Sequence, residues 1–159
     1  MASAQGKKVV HIHHGTQNYK TVMTAGRHEL LADEPLDQAG MDTGPDPYDY
    51  LLMSLGACTA ITLKMYADRK KWPVEDIYVE MTHEKAIPSE RSDESEASRE
   101  SGVSGASTQK IDRIEKEILI KGDLDESQLD RMLQISHKCP VNKTLQGTSI
   151  EMKASIRKL

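Results

Sequence analysis

The chain contains no phenylalanine. Six of its 159 residues are aromatic, five tyrosines and one tryptophan, so a core must be built from Ile, Leu, Val and eight methionines. Two cysteines are too few for the disulfide framework of a small secreted domain. No uninterrupted apolar run approaches the ~18 residues that span a bilayer. Met1 to Lys8 has no apolar stretch of the signal-peptide kind. Neither a membrane partner nor export is therefore expected. With 21 basic and 25 acidic residues, a net charge of -4, there is no electrostatic footprint for nucleic acid. Glycine-rich phosphate loops and Ser/His/Asp signatures are also missing. What remains is a cytoplasmic globular chain whose length fits a single domain over 1–159.

One segment stands apart. Between Pro88 and Gln109, serines recur at every third position from 89 to 107, among five acids and two arginines. This composition cannot bury enough surface to offset its ordering entropy, so 88–109 is expected to be a mobile loop. A phosphorylated or partner-binding loop is the functional alternative, and composition favours it less.

The rest predicts an α+β fold, mainly antiparallel, in the order βββ-α-ββ-α-β. Three short strands, Lys8 to His14, Tyr19 to Met23 and Arg27 to Leu31, are separated by turn residues. Asp33 to Gly44 reads as a loop. Asp46 then suits a helix N-cap, Pro47 the first helical position and Asp49 the first turn. The helix from Pro47 to Lys71 is apolar over most of its circumference and stops at Trp72-Pro73. Met53, Met65, Met81 and Met132 fall at core-type positions.

Past Pro73 the period becomes two. Ile77, Val79 and Met81, then Ile114, Ile118 and Ile120, predict an antiparallel pair. Asp125-Glu126-Ser127 opens a second helix with Leu129, Met132, Leu133 and Ser136 on one face. Cys139-Pro140 starts a short helix to about Leu145, and Ile150 to Ile156 alternates as a last strand. So few aromatics hardly cover a central helix that is apolar nearly all round. A second copy of the chain would, so a homodimer with that helix near the interface is expected.

The two cysteines differ in setting. Cys139, before a helix-starting proline and beside His137 and Lys138, would feel a positive helix end that favours a thiolate. Cys58 lies mid-helix beside the small residues Gly56 and Ala57, and needs a cation from elsewhere. Arg27 is the only arginine that precedes it. Either cysteine could equally be a small buried hydrophobe. His11, His13 and His14 could in principle hold a metal, but no acid or cysteine accompanies them at ligand spacing. They read as exposed strand histidines, and no metal or cofactor is expected.

The string Gly44-Pro45-Asp46-Pro47-Tyr48-Asp49-Tyr50-Leu51-Leu52, continued by Leu55-Gly56-Ala57-Cys58-Thr59-Ala60, resembles the central-helix signature of the OsmC/Ohr family. This family comprises osmotically inducible protein C and the organic hydroperoxide resistance proteins. His137-Lys138-Cys139-Pro140-Val141 with Lys143-Thr144-Leu145 is similar to the family's second cysteine motif. Arg27-His28 with Ala32-Asp33-Glu34-Pro35 resembles the segment preceding the helix in one branch.

The resemblance implies an intertwined homodimer with sites at its interface, acting as a thiol-dependent peroxidase on organic hydroperoxides. Hydrogen peroxide is a further substrate to consider. Cys58 would attack the peroxide and become a sulfenic acid. Cys139 would condense with it to an intramolecular disulfide, which an external dithiol reduces. Arg27 is the candidate for the family's thiolate-stabilising arginine. The pattern departs at one point, because family peroxidases carry a glutamate directly after the helix-opening proline, where this chain has Tyr48. The acid follows one place later as Asp49, which leaves two roles open, orienting the arginine or serving as a helix-start acid. Tyr48 could donate a hydrogen bond or simply pack. The alternative function is a non-catalytic relative binding a small apolar ligand at the dimer interface, its cysteines inert.

Overall fold

The turn residues near the N-terminus organise a three-stranded antiparallel meander, β1 (His11–His14), β2 (Thr21–Ala25) and β3 (His28–Ala32), in that order across the sheet. The computed structural model describes residues 7–87, 110–147 and 150–158, so the serine-rich segment lies outside the described residues. These residues divide into two compact units, Met1–Leu55 and Gly56–Leu159.

In the first unit, His13 faces Val22 and Met23 faces Leu30 across the strands. Strand β1 is shorter than its apolar pattern suggests, because its pairing runs out at Thr24, next to the hairpin turn. Gly26, at φ 61°, and Arg27 form that two-residue turn, so Arg27 is a turn residue and not the first residue of β3. The histidines of β1 are exposed, and among the described residues no group of His, Cys, Asp and Glu could hold a metal.

The loop after β3 contains a short 3-10 turn, Leu36–Gln38, and is tied down by the buried Asp33. The Asp33 carboxylate accepts from the Thr43 hydroxyl at 2.7 Å, the Thr43 N–H at 3.1 Å and the Glu34 N–H at 2.9 Å. Gly44 is needed where the loop returns, since a Cβ there would lie 2.5 Å from the Leu31 carbonyl oxygen. The Thr43 hydroxyl bond, opposed by burial and assisted by backbone N–H groups, holds the Asp33 carboxyl below its ordinary value. A carboxyl depressed in the folded state contributes stability above its unfolded pKa, and that stability is lost as pH falls through the folded value. Wild type should therefore lose more stability than Asp33→Asn when denaturant midpoints are compared above and below about pH 4.

Helix α1 runs Pro47–Lys70. Its start is a reciprocal cap: Asp46 accepts from the Asp49 N–H at 2.8 Å and Asp49 from the Asp46 N–H at 3.2 Å. Its end is a left-handed cap, with Lys71 at φ 57° and the Trp72 N–H donating to the Ala67 carbonyl at 3.0 Å. By length and composition α1 could also cross a bilayer. Its Leu63, Tyr66 and Ala67, however, are core residues of the second unit.

In that unit β4 (Val74–Ala86) pairs antiparallel with β5 (Ile111–Gly122), with Ile77 opposite Ile120, Val79 opposite Ile118 and Met81 opposite Lys116. Gly56 brings β4 close to α1, since a Cβ there would touch the Met81 side chain at 3.4 Å. Helix α2 (Glu126–Ser136) opens with a capping box between Asp125 and Gln128, and α3 (Pro140–Gln146) follows. The core joins Leu63, Tyr66, Ala67, Val74, Met132 and Ile135, with Trp72, Ile77, Ile118, Ile120 and Leu124 packed around it.

Three expectations need correction. Helix α2 buries Met132, Ile135 and Ser136, whereas Leu129 and Leu133 are exposed. Leu133 is turned about 100° from Met132, and Ile135 closes the stripe that faces the core. Met53 and Met65 are exposed on α1 among the described residues, since periodicity marks an apolar face without saying what covers it. Finally, residues 150–158 form no strand, and Ile150, Met152 and Ile156 are exposed. Alternation alone does not make a strand without a neighbouring edge to pair with.

Candidate thiol site

The second unit brings the two cysteines together. Cys58 projects half-buried from α1, while Cys139 is fully buried at the N-cap of α3; both are free thiols, close enough that each shifts the protonation of the other. Cys139 caps α3 because Pro140 fixes the first helical position and leaves the Asn142 N–H to donate to Sγ at 3.3 Å. Asn142 is itself buried, its side-chain amide donating to the His137 carbonyl at 3.1 Å and to Gln146 at 3.0 Å. Asn142→Ala should cost about 1–2 kcal/mol of stability, read from urea denaturation, because it removes both hydrogen bonds that a buried amide donates, to the His137 carbonyl and to Gln146.

Two further side chains converge on Cys139. Thr59, one residue past Cys58, is completely buried; its hydroxyl makes no hydrogen bond among the described residues and lies near enough to Cys139 to favour its thiolate. Lys116 reaches in from β5, where it occupies the same inward parity as Ile114, Ile118 and Ile120. Its ammonium donates to the Ser136 carbonyl at 3.1 Å, at the C-terminal end of α2, and lies near enough to Cys139 to feel its charge. Burial lowers the Lys116 pKa, and the neighbouring Cys139 partly restores it.

The two thiols are pushed in opposite directions. Burial raises Cys58, and the neighbouring Cys139 raises it further, against weaker help from the Val141 N–H and Thr62. Burial also opposes the Cys139 thiolate, but the Asn142 N–H, the Cys58 thiol, the Thr59 hydroxyl and the Val141 N–H together outweigh it and bring Cys139 below its ordinary value. Of the two sulfurs, the buried Cys139 is therefore the one on which negative charge is more favoured.

Sequence reasoning looked to His137 and Lys138 for the charge beside Cys139. Both are exposed, and the cation near enough to feel the charge of this sulfur is Lys116. The remaining site candidates belong to the first unit. Arg27 is exposed in the β2–β3 turn, while Tyr48 and Asp49 are exposed in the first turn of α1. One carboxylate oxygen of Asp49 is engaged in the α1 cap, so the helix-start role is realised.

The family model described as OsmC-like protein matches residues 40–154, a span that includes α1 and both cysteines. The chain belongs to the OsmC-like family. An OsmC-like protein from Mycoplasma pneumoniae shares the fold at TM-score 0.65 and 19% identity, over 91% of this chain and 90% of that one. An organic hydroperoxide resistance protein OsmC from Legionella pneumophila matches at TM-score 0.62 and 16% identity, over 91% and 93%. The organic hydroperoxide resistance protein OhrB of Bacillus subtilis matches at TM-score 0.58 and 16% identity, over 90% and 93%. No curated protein matches the chain in sequence.

Proposed function

We propose that the chain is a thiol-dependent peroxidase that reduces organic hydroperoxides through Cys58 and Cys139. The observation that carries this reading is the placement of a half-exposed thiol on α1 close to the buried sulfur that caps α3, near enough for each to shift the protonation of the other. Two solved relatives named for organic hydroperoxide resistance support the substrate class.

The pairing suggests a division of labour. Cys139 as thiolate takes the Cys58 proton while Cys58 attacks the distal peroxide oxygen. The O–O bond breaks, Cys58 becomes a sulfenic acid, and the departing alkoxide is protonated to an alcohol. Cys139, again a thiolate, then attacks the Cys58 sulfur and expels hydroxide, which leaves as water. In sum, two thiols and one hydroperoxide give a disulfide, an alcohol and water, and an external dithiol restores the thiols. Arg27 is assigned to polarising the peroxide. Tyr48 is a further polar group for the site, and Asp49 supports it by fixing the start of α1.

The same reading includes a homodimer and a reducing compartment such as the cytoplasm. Met53, Ile61 and Met65 are 54%, 59% and 69% exposed on α1, an apolar stripe that a second copy would cover. Light scattering across a dilution series should return twice the chain mass.

The direct test is peroxide consumption with dithiothreitol as reductant. Cumene hydroperoxide and hydrogen peroxide should both disappear, the former faster. Consumption of neither above a protein-free control would refute the enzyme. It would favour the second reading, a non-catalytic apolar-ligand binder, for which the raised Cys58 thiol speaks.

A further inference from the structure

The peroxidase reading gives Lys116 no part, yet it is the one lysine that the structure places half-buried at the thiol site. Its position is costly without a purpose. An ammonium on the inward parity of β5, between Ile114 and Ile118, loses hydration that exposed lysines keep. A hydrogen bond to the Ser136 carbonyl, at 3.1 Å, holds it there. That carbonyl lies three residues before Cys139, so the bond aims the ammonium at the turn carrying the buried sulfur.

We propose that Lys116 is a positioning residue for the reductive half of the cycle: its ammonium receives the charge that appears on Cys139 when the Cys58–Cys139 disulfide is cleaved. The proposal rests on the disulfide of the peroxidase reading and adds which sulfur is attacked and why. Of the two, only Cys58 is open to solvent, so an incoming dithiol thiolate reaches the Cys58 sulfur. A new S–S bond forms between reductant and Cys58, the Cys58–Cys139 bond breaks, and its electron pair leaves on Cys139. There it meets Lys116, the Asn142 N–H and the Thr59 hydroxyl. The second thiolate of the reductant then attacks its own sulfur in the mixed disulfide and releases Cys58, which takes up a proton; the reductant departs as a disulfide. Exchange is faster the more stable the leaving thiolate, which is the reason to keep a cation at the buried sulfur and not at the exposed one.

A lysine that merely closed the end of α2 would do none of this. Cys58 and Thr59 from α1 and the Val141 and Asn142 N–H groups of α3 act on Cys139, and Lys116 from β5 is the cation that feels its charge. Removing Cys58 therefore isolates the Lys116 effect. In a Cys58→Ser background, thiolate absorbance near 240 nm should titrate about one pH unit higher in Lys116→Gln than with Lys116 present, and Lys116→Arg should restore most of the difference. With both cysteines present, dithiothreitol should reduce the disulfide of Lys116→Gln about threefold more slowly. An unchanged midpoint, or equal midpoints for Gln and Arg, would overturn the proposal.

Should Lys116→Gln fail to fold by circular dichroism, the reciprocal effect is read in the wild-type chain. The Lys116 side-chain NMR signal, assigned by its loss in Lys116→Arg, should titrate higher in the reduced than in the disulfide form, and coincident curves would overturn the pairing. These titrations involve no peroxide. A chain inert to peroxide but showing the Lys116-dependent midpoint loses the enzyme and keeps the pair.

Discussion

Cys58→Ser should lower dithiothreitol-dependent consumption of cumene hydroperoxide by roughly 10³-fold or more, to the level of the protein-free reaction. A serine hydroxyl at this position has no neighbouring base strong enough to ionise it, so the variant keeps the fold and loses the nucleophile. Cys139→Ser should behave differently. It retains the exposed thiol but lacks both the base that takes the Cys58 proton and the sulfur that traps the sulfenic acid. A single slow turnover followed by stalling and further oxidation of Cys58 is expected, read by mass spectrometry as successive additions of oxygen. The contrast matters more than either loss. Two inert buried cysteines would give two silent variants, and a lone reactive thiol would leave Cys139→Ser fully active.

The second large effect is on stability. Leu63 is completely buried, at the point where α1 meets Val74 of β4 and Met132 and Ile135 of α2. With no phenylalanine in the chain and one tryptophan, which packs at the edge of this cluster against Tyr66, few large side chains remain to fill a gap there. Leu63→Ala should therefore cost about 3 kcal/mol, the transfer energy of the lost methyl groups plus a cavity that the surroundings close only in part. A fall of about 6–12 °C in Tm by scanning calorimetry corresponds to that cost for a chain of this size. Met65→Ala on the same helix is the control. Its side chain is 69% exposed, so it should leave the stability of a single chain within about 0.5 kcal/mol while weakening association if α1 meets a second copy.

These two residues show where the sequence was legible. Helix α1 could be read almost to the residue because its ends carry local chemistry, the Asp46-Pro47-Asp49 cap at one and Trp72-Pro73 at the other. The β4–β5 pair was equally open, since strict alternation survives on both sides of the serine-rich segment. What periodicity does not encode is which partner an apolar face meets. Leu63 and Met65 read alike on the helix, yet one is core and the other surface. The alternation of Ile150 to Ile156 predicts a strand, but pairing needs an edge as well as a pattern.

At the site, Cys139 announced itself through the proline that follows it and the helix that the proline starts. Its cation did not, because His137 and Lys138 are adjacent in sequence and exposed in the fold. A signal was nonetheless present. In Ile114-Glu115-Lys116-Glu117-Ile118, a lysine takes the inward parity of an amphipathic strand, and such a charge has to be met by something from another element. Thr59 gave no comparable sign, since a threonine in an apolar helix commonly satisfies itself by bonding back to the helix.

The central claim is that Cys58 and Cys139 act as one redox pair, and stoichiometric oxidation tests it most directly. Reduced protein freed of dithiothreitol is treated with one equivalent of cumene hydroperoxide, then alkylated, digested without reduction and mapped by mass spectrometry. The account predicts loss of both free thiols per chain, one equivalent of cumyl alcohol, and a peptide joining Cys58 to Cys139 within a single chain. Recovery of both cysteines as free thiols after the peroxide has been offered, or a disulfide joining Cys58 to Cys58 between chains, would contradict it.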